Sequence, residues 1–134
     1  MDQIKVIIRF MDGRIMKGYA NDFNPTRPSF HFNEMNETSQ NKPILIEVQA
    51  LKAIFFVKTF EGNKEYGERN EFKQGDLVQG RKAEVTFSDG EVIRGSTMGY
   101  DPQRLGFFLV PVDSKSNNMR IFVITKAVKK FRFL

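Results

Sequence analysis

The sequence predicts an all-β protein built from two tandem five-stranded small barrel units. Three observations predict it. Residues 4–57 and 81–134 align without a gap at an offset of 77, with 14 identities in 54 positions. Each stretch is a succession of short β-branched and aromatic runs broken by Asp-Gly, Pro and polar turns. A glycine recurs inside the second run of each stretch, where a strand bends or bulges. Two copies are too few for a solenoid, so the pattern reads as a duplicated folding unit. The first unit spans 1–57, a linker 58–80 and the second unit 81–134.

Each element has a counterpart. First strands are expected at 5–10 and 82–87. Asp12-Gly13 and Asp89-Gly90 follow, and Asp-Gly between apolar runs signals a tight hairpin because glycine accepts positive φ cheaply. Second strands are expected at 14–23 and 91–100, with Gly18 and Gly95 inside them. The turns 24–28 and 101–105 pair Pro25 with Pro102 and Arg27 with Arg104. Third strands are expected at 29–33 and 106–110, then polar loops in which Asn41 falls on Asn118. Fourth strands are expected at 43–48 and 119–124, a single 3₁₀ turn at 49–51 and 126–128, and fifth strands at 52–57 and 129–134. In the linker, Phe60, Tyr66, Phe72 and Leu77 are candidates to pin a glycine-rich, charge-alternating segment.

Composition narrows function by exclusion. The chain has 134 residues and is 40% hydrophobic and 28% charged, a globular composition. No apolar run approaches the ~20 residues of a membrane span, and the start shows no leader pattern. The absence of Cys excludes disulfides, thiolate zinc sites and a thiol nucleophile. One His and no Trp leave no familiar catalytic or metal constellation, and no cofactor is expected. A cytoplasmic location is expected. The net charge of +5 sits in residues 81–134, which carry 10 Lys/Arg against 5 Asp/Glu.

The strand, Asp-Gly, strand, Gly order, the bent second strand and the turn before the fifth strand together resemble the Sm-like superfamily of SH3-type barrels. The resemblance also extends to an uncharacterised bacterial domain, through Gly106-Phe107-Phe108-Leu109 and the run Asn117 to Val123. It implies the barrel fold for about 54 residues of each copy. The RNA-contact signature of the superfamily is missing: Asp22-Phe23-Asn24-Pro25 and Gly99-Tyr100-Asp101-Pro102 stand in its place.

Candidate residues carry competing readings. His31 alternates with Phe30 and Phe32 and falls on Phe108, which fits a surface or structural role. Asp12 and Asp89 fit turn residues bonding local backbone N–H groups. Arg27 and Arg104, matched and beside aromatic positions, would either contact a ligand or bond loop carbonyls and the neighbouring Asp22 and Asp101. Arg120, Lys126, Lys129, Lys130 and Arg132 would form either a phosphate-binding face or a solvated strand edge guarded by cations. In the pairs Phe55-Phe56 and Phe107-Phe108 only one ring of each can face a core, so Phe55 and Phe108 are candidates to pack against the other copy, the linker or a partner. The expected function is a non-enzymatic binding or scaffolding module for a protein partner. RNA or another anionic ligand on the C-terminal unit is the alternative. Oligomeric state is not readable.

Overall fold

The computed structural model of the chain describes residues 3–35, 42–62, 65–76 and 78–134. Asn41 and Leu77 lie outside them. Ten strands form: β1 (Lys5–Phe10), β2 (Ile15–Tyr19), β3 (Ser29–Glu34), β4 (Ile44–Glu47), β5 (Leu51–Val57), β6 (Arg81–Phe87), β7 (Val92–Thr97), β8 (Gly106–Pro111), β9 (Asn118–Ile124) and β10 (Val128–Phe133). Single 3₁₀ turns, Val48–Ala50 and Thr125–Ala127, precede β5 and β10. Among the described residues no helix is long and apolar enough to cross a membrane.

The protein is all-β, a single antiparallel sheet in the order β10-β6-β7-β8-β9-β5-β1-β2-β3-β4. Strands of the first half therefore follow the order β5-β1-β2-β3-β4, and those of the second half β10-β6-β7-β8-β9, which is the same order at the sequence offset. The halves meet where β5 pairs with β9, through Ala53 opposite Val123, Ile54 opposite Phe122 and Phe55 opposite Ile121. β4 and β10 stand at the two ends.

Local chemistry accounts for the elements. Both Asp-Gly sites are hairpins, with Gly13 at φ 95° and Gly90 at φ 93°. Asp12 and Asp89 each accept the backbone N–H two residues on, both at 3.0 Å, so they are turn residues. The second strands end at Tyr19 and Thr97, short of Phe23 and Tyr100. Asn24 and Asp101 take over there, their side chains accepting the N–H of Thr26 and Gln103 at 2.9 Å and starting a turn that competes with the ladder.

Gly18 and Gly95 matter for close approach. β3 gives its first residues to β4 and its last, Asn33 and Glu34, to β2. A Cβ on Gly18 would lie 2.1 Å from the Asn33 carbonyl oxygen, and one on Gly95 2.3 Å from that of Val110. Only a residue without a side chain lets the bent third strand cross there.

Inward residues of both halves form one core. It runs through Val6, Ile8, Phe30, Phe32, Ile54, Val85, Phe87, Leu109, Phe122 and Ile124 without interruption at the junction. Phe56 and Phe108 are the doubled rings that reach across it: they lie 6.0 Å apart, and Phe23 packs on both and on Phe122. The segment between β5 and β6 is held to both halves. Phe60 is buried and packs its ring on Tyr19 at 5.5 Å, and Lys17 Nζ donates to its carbonyl. Asn117 and Thr59 exchange hydrogen bonds, and Asn70 accepts the Arg94 N–H at 3.0 Å. Buried Asp113 accepts the Tyr66 hydroxyl and the N–H groups of Arg69 and Lys115.

Two outcomes follow from this architecture. A shared core predicts one cooperative unfolding transition for the chain, because each half alone is small and would expose the junction. Two separated calorimetric transitions would contradict it. Gly18→Ala should lower stability by about 1–3 kcal/mol in denaturant titration, since the obstacle is backbone and cannot step aside.

A third outcome concerns acid. The Tyr66 hydroxyl, then the Arg69 and Lys115 N–H groups, hold the Asp113 carboxyl below its ordinary 3.8, at about 2. Its folded pKa is depressed, so its contribution is complete above the ordinary value and disappears as pH falls through about 2. Pepsin should cut between residues 65 and 76 near pH 2 and not at pH 5, while Asp113→Asn should open that segment at both. Equal protection at the two pH values would contradict this.

Candidate functional site

The junction is where sequence candidates, apolar surface and charge converge. A groove of about 470 Å³ runs along it, lined by Phe107, Phe108 and Phe122 from the second half and Pro25 from the first. Its wall is the β7–β8 connection, with Met98, Gly99, Tyr100, Asp101 and Arg104. Tyr100 is held flat against Phe131, with ring centroids 4.0 Å apart and planes 12° from parallel, and edge-on to Phe107. Met98 is 85% exposed, the most exposed large apolar side chain described. Arg104 stands on the rim 3.8 Å from Asp101, so the rim carries both signs. A smaller hollow beyond Arg104 adds Gln49, Pro102, Gln103 and Lys126. Apolar rings under a polar rim suit a side chain presented by a partner, with the rim setting its orientation.

The other face of the same junction is electrostatic. Lys52 on β5 is 5% exposed. Its ammonium reaches Asp89 at 2.7 Å and also Glu91, both on the β6–β7 hairpin, and it lies 4.6 Å from the Phe87 ring centroid. Arg9 on β1 bonds Glu91 at 3.2 Å. The Lys52 ammonium lowers the Asp89 pKa. These contacts join strands of one half to a turn of the other.

The predicted site residues divide among several places. Phe108 and Arg104 share the groove, and Lys126 joins Arg104 in the adjoining hollow. Arg120 lies over the Phe56 and Phe108 rings, at 4.6 and 4.4 Å from their centroids, so its charge stabilises the aromatic junction. Arg132 bonds Glu84 at 2.8 Å, and Arg94 bonds the other oxygen of the same carboxylate at 2.8 Å. Arg132, then Arg94, lower the Glu84 pKa to about 2. Lys129 and Lys130 are exposed on β10, where the ladder with β6 slips by one residue between Val128 and Lys130. Arg120 thus sits at the aromatic junction and Arg132 in an ion triad, while Lys129 and Lys130 lie with Arg132 on the strand at the end of the sheet. Arg27 is exposed on the β2–β3 turn, two residues from Pro25 and not itself part of the groove lining. Phe55 is half-buried with Arg9 above it at 5.9 Å.

His31 is exposed and bonds Asp22 through both its N–H and its Nδ1, at 2.9 and 2.7 Å. It is a surface residue with a local carboxylate partner. Among the described residues no group of His, Asp and Glu is arranged to hold a metal ion.

Sequence reasoning did not single out Met98 or Lys52. Nothing in spacing marks Met98, whose neighbours are ordinary turn residues. Lys52 does carry a signal, because it is identical to Lys129 at the offset.

No curated protein and no solved structure matches the chain. A family model does, described as a family of unknown function (DUF6982), and since it covers residues 2–134 the chain belongs to that family.

Proposed function

We propose that the protein is a non-enzymatic binding or scaffolding module that recognises a protein partner, built as two tandem SH3/Sm-like barrel units. The same strand order in the two halves, the bent third strands, and the 3₁₀ turn before β5 and before β10 support the tandem barrel reading. One observation carries the partner reading: the groove at the junction has a floor of phenylalanine rings, an exposed methionine and a rim of mixed sign. A nucleic-acid surface needs cations in a contiguous array that neutralises several phosphates. Here Arg132 is paired with Glu84 and Arg120 lies over two rings, so two of the cations such a surface would use are already engaged. Binding of RNA or another anion through the C-terminal unit is the competing reading.

A photo-reactive residue at Met98, used in the native cell, should give a protein adduct. The affinity of that partner should fall about tenfold or more for Arg104→Glu, a change of charge on an exposed rim. It should be unchanged when Lys129, Lys130 and Arg132 are all replaced by Gln. Submicromolar RNA or DNA binding at physiological salt, lost in that triple variant, would overturn the reading.

A further inference from the structure

We propose that copies of this chain associate head to tail, the β10 edge of one pairing antiparallel with the β4 edge of the next. The warrant is that the molecule already makes this contact once within itself. The internal junction joins the fifth strand of the first half, β5, to the fourth strand of the second, β9. The offset of 77 converts β5 into β10 and β9 into β4, and these are the two strands at the ends of the sheet. Both surfaces of the junction thus exist a second time, on opposite ends of the molecule.

The register can be transferred pair by pair. Ala53 opposite Val123, Ile54 opposite Phe122 and Phe55 opposite Ile121 become Lys130 opposite Ile46, Phe131 opposite Leu45 and Arg132 opposite Ile44. Apolar side chains are exposed at both ends of the sheet: Ile44 is 43% and Leu45 54% exposed on β4, while Phe133 is 38% exposed on β10 and Leu134, just after it, 52%. In a strand edge facing water such side chains are a liability, and pairing buries them.

Charge supports the same register. Lys52 is held at the internal junction by Asp89 and Glu91. Its counterpart Lys129 is exposed, and so is Asp12, the counterpart of Asp89. Extending the transferred pairs by one residue would set Lys129 beside Glu47, another exposed carboxylate, at the end of β4. Glu91 itself is replaced by Arg14, so Glu47 supplies the second negative charge from the strand instead of the hairpin. The cations on β10 would repel a second β10 and attract the β4 edge through Glu47, whereas Asp12 in the β1–β2 hairpin is already paired with Arg14 at 2.9 Å. That selects the heterologous pairing over a β10–β10 contact. Such a contact closes into a ring or continues as a filament.

Native mass spectrometry and light scattering of the full chain at submillimolar concentration test this. The expected result is a species at a multiple of 15.5 kDa. Lys129→Glu and Glu47→Lys should each weaken association about tenfold, and the double variant should restore it. Because the chain has no Cys, the geometry can be read directly. Ile44→Cys and Arg132→Cys chains, mixed and oxidised, should form a disulfide across the two edges, since directly opposed strand residues come within its reach. A strictly monomeric chain would overturn the proposal. So would association indifferent to both charge reversals, or a disulfide formed as readily by Ile44→Cys alone as by the mixture.

Discussion

The pairing of β5 with β9 is the constraint on which the rest of the structure depends. A strand at the end of a sheet leaves a row of backbone N–H and C=O groups unpaired, and one strand from each half disposes of that row by meeting the other. The consequence is visible in the side chains. β5 lies between β1 and β9, and six of its seven residues are buried, so both of its faces are covered. β10 has the same place in the second half but lies at the end of the sheet, and none of its residues is buried. Reading Leu51-Lys52-Ala53-Ile54-Phe55-Phe56-Val57 beside Val128-Lys129-Lys130-Phe131-Arg132-Phe133-Leu134 shows how neighbour count writes itself into sequence. Where the strand is enclosed it is nearly continuous in apolar residues, and where it is open it alternates with cations.

The aromatic content follows from the same constraint. A small sheet that curls leaves a wedge of space where two halves meet, and large planar side chains fill it. Phe23, Phe56, Phe108 and Phe122 meet edge to face or tilted at 5.0–6.4 Å, an arrangement that phenylalanine prefers over flat stacking. Arg120 closes the cluster at the solvent side with its guanidinium over two rings. In the second half Tyr100, Phe107 and Phe131 form a corresponding group that stays half open, and that open side is the groove.

What the sequence disclosed, and what it did not, separates along the range of the interactions. Asp12, Gly13, Asp89 and Gly90 act through bonds to residues two or three positions away, so their roles could be read from letters alone. Phe108 could be read from alternation, because two adjacent rings cannot point the same way. The second strands stop early because Asn24 and Asp101 bond their own backbone, a local competition that strand propensity does not register. The partners of the C-terminal cations were not legible. Arg132 meets Glu84 at a separation of 48 residues and Arg120 meets Phe56 across the junction, and no spacing rule announces either. Lys52 and Lys129 make the point most sharply, since the same residue at the same position of the 77-residue offset is buried in one half and exposed in the other.

The burial of Lys52 also governs alignment. A strand apolar on both faces has little to distinguish one pairing offset from the next, and a slip by one residue turns every side chain over. Lys52 favours the observed alignment, which brings its ammonium to Asp89 and Glu91. In a slipped ladder the charge would be enclosed without a counterion, at a cost of roughly 3–5 kcal/mol. The lysine thus acts as a proofreading key for strand assembly: a misaligned junction is penalised by the cation meant to seal the correct one.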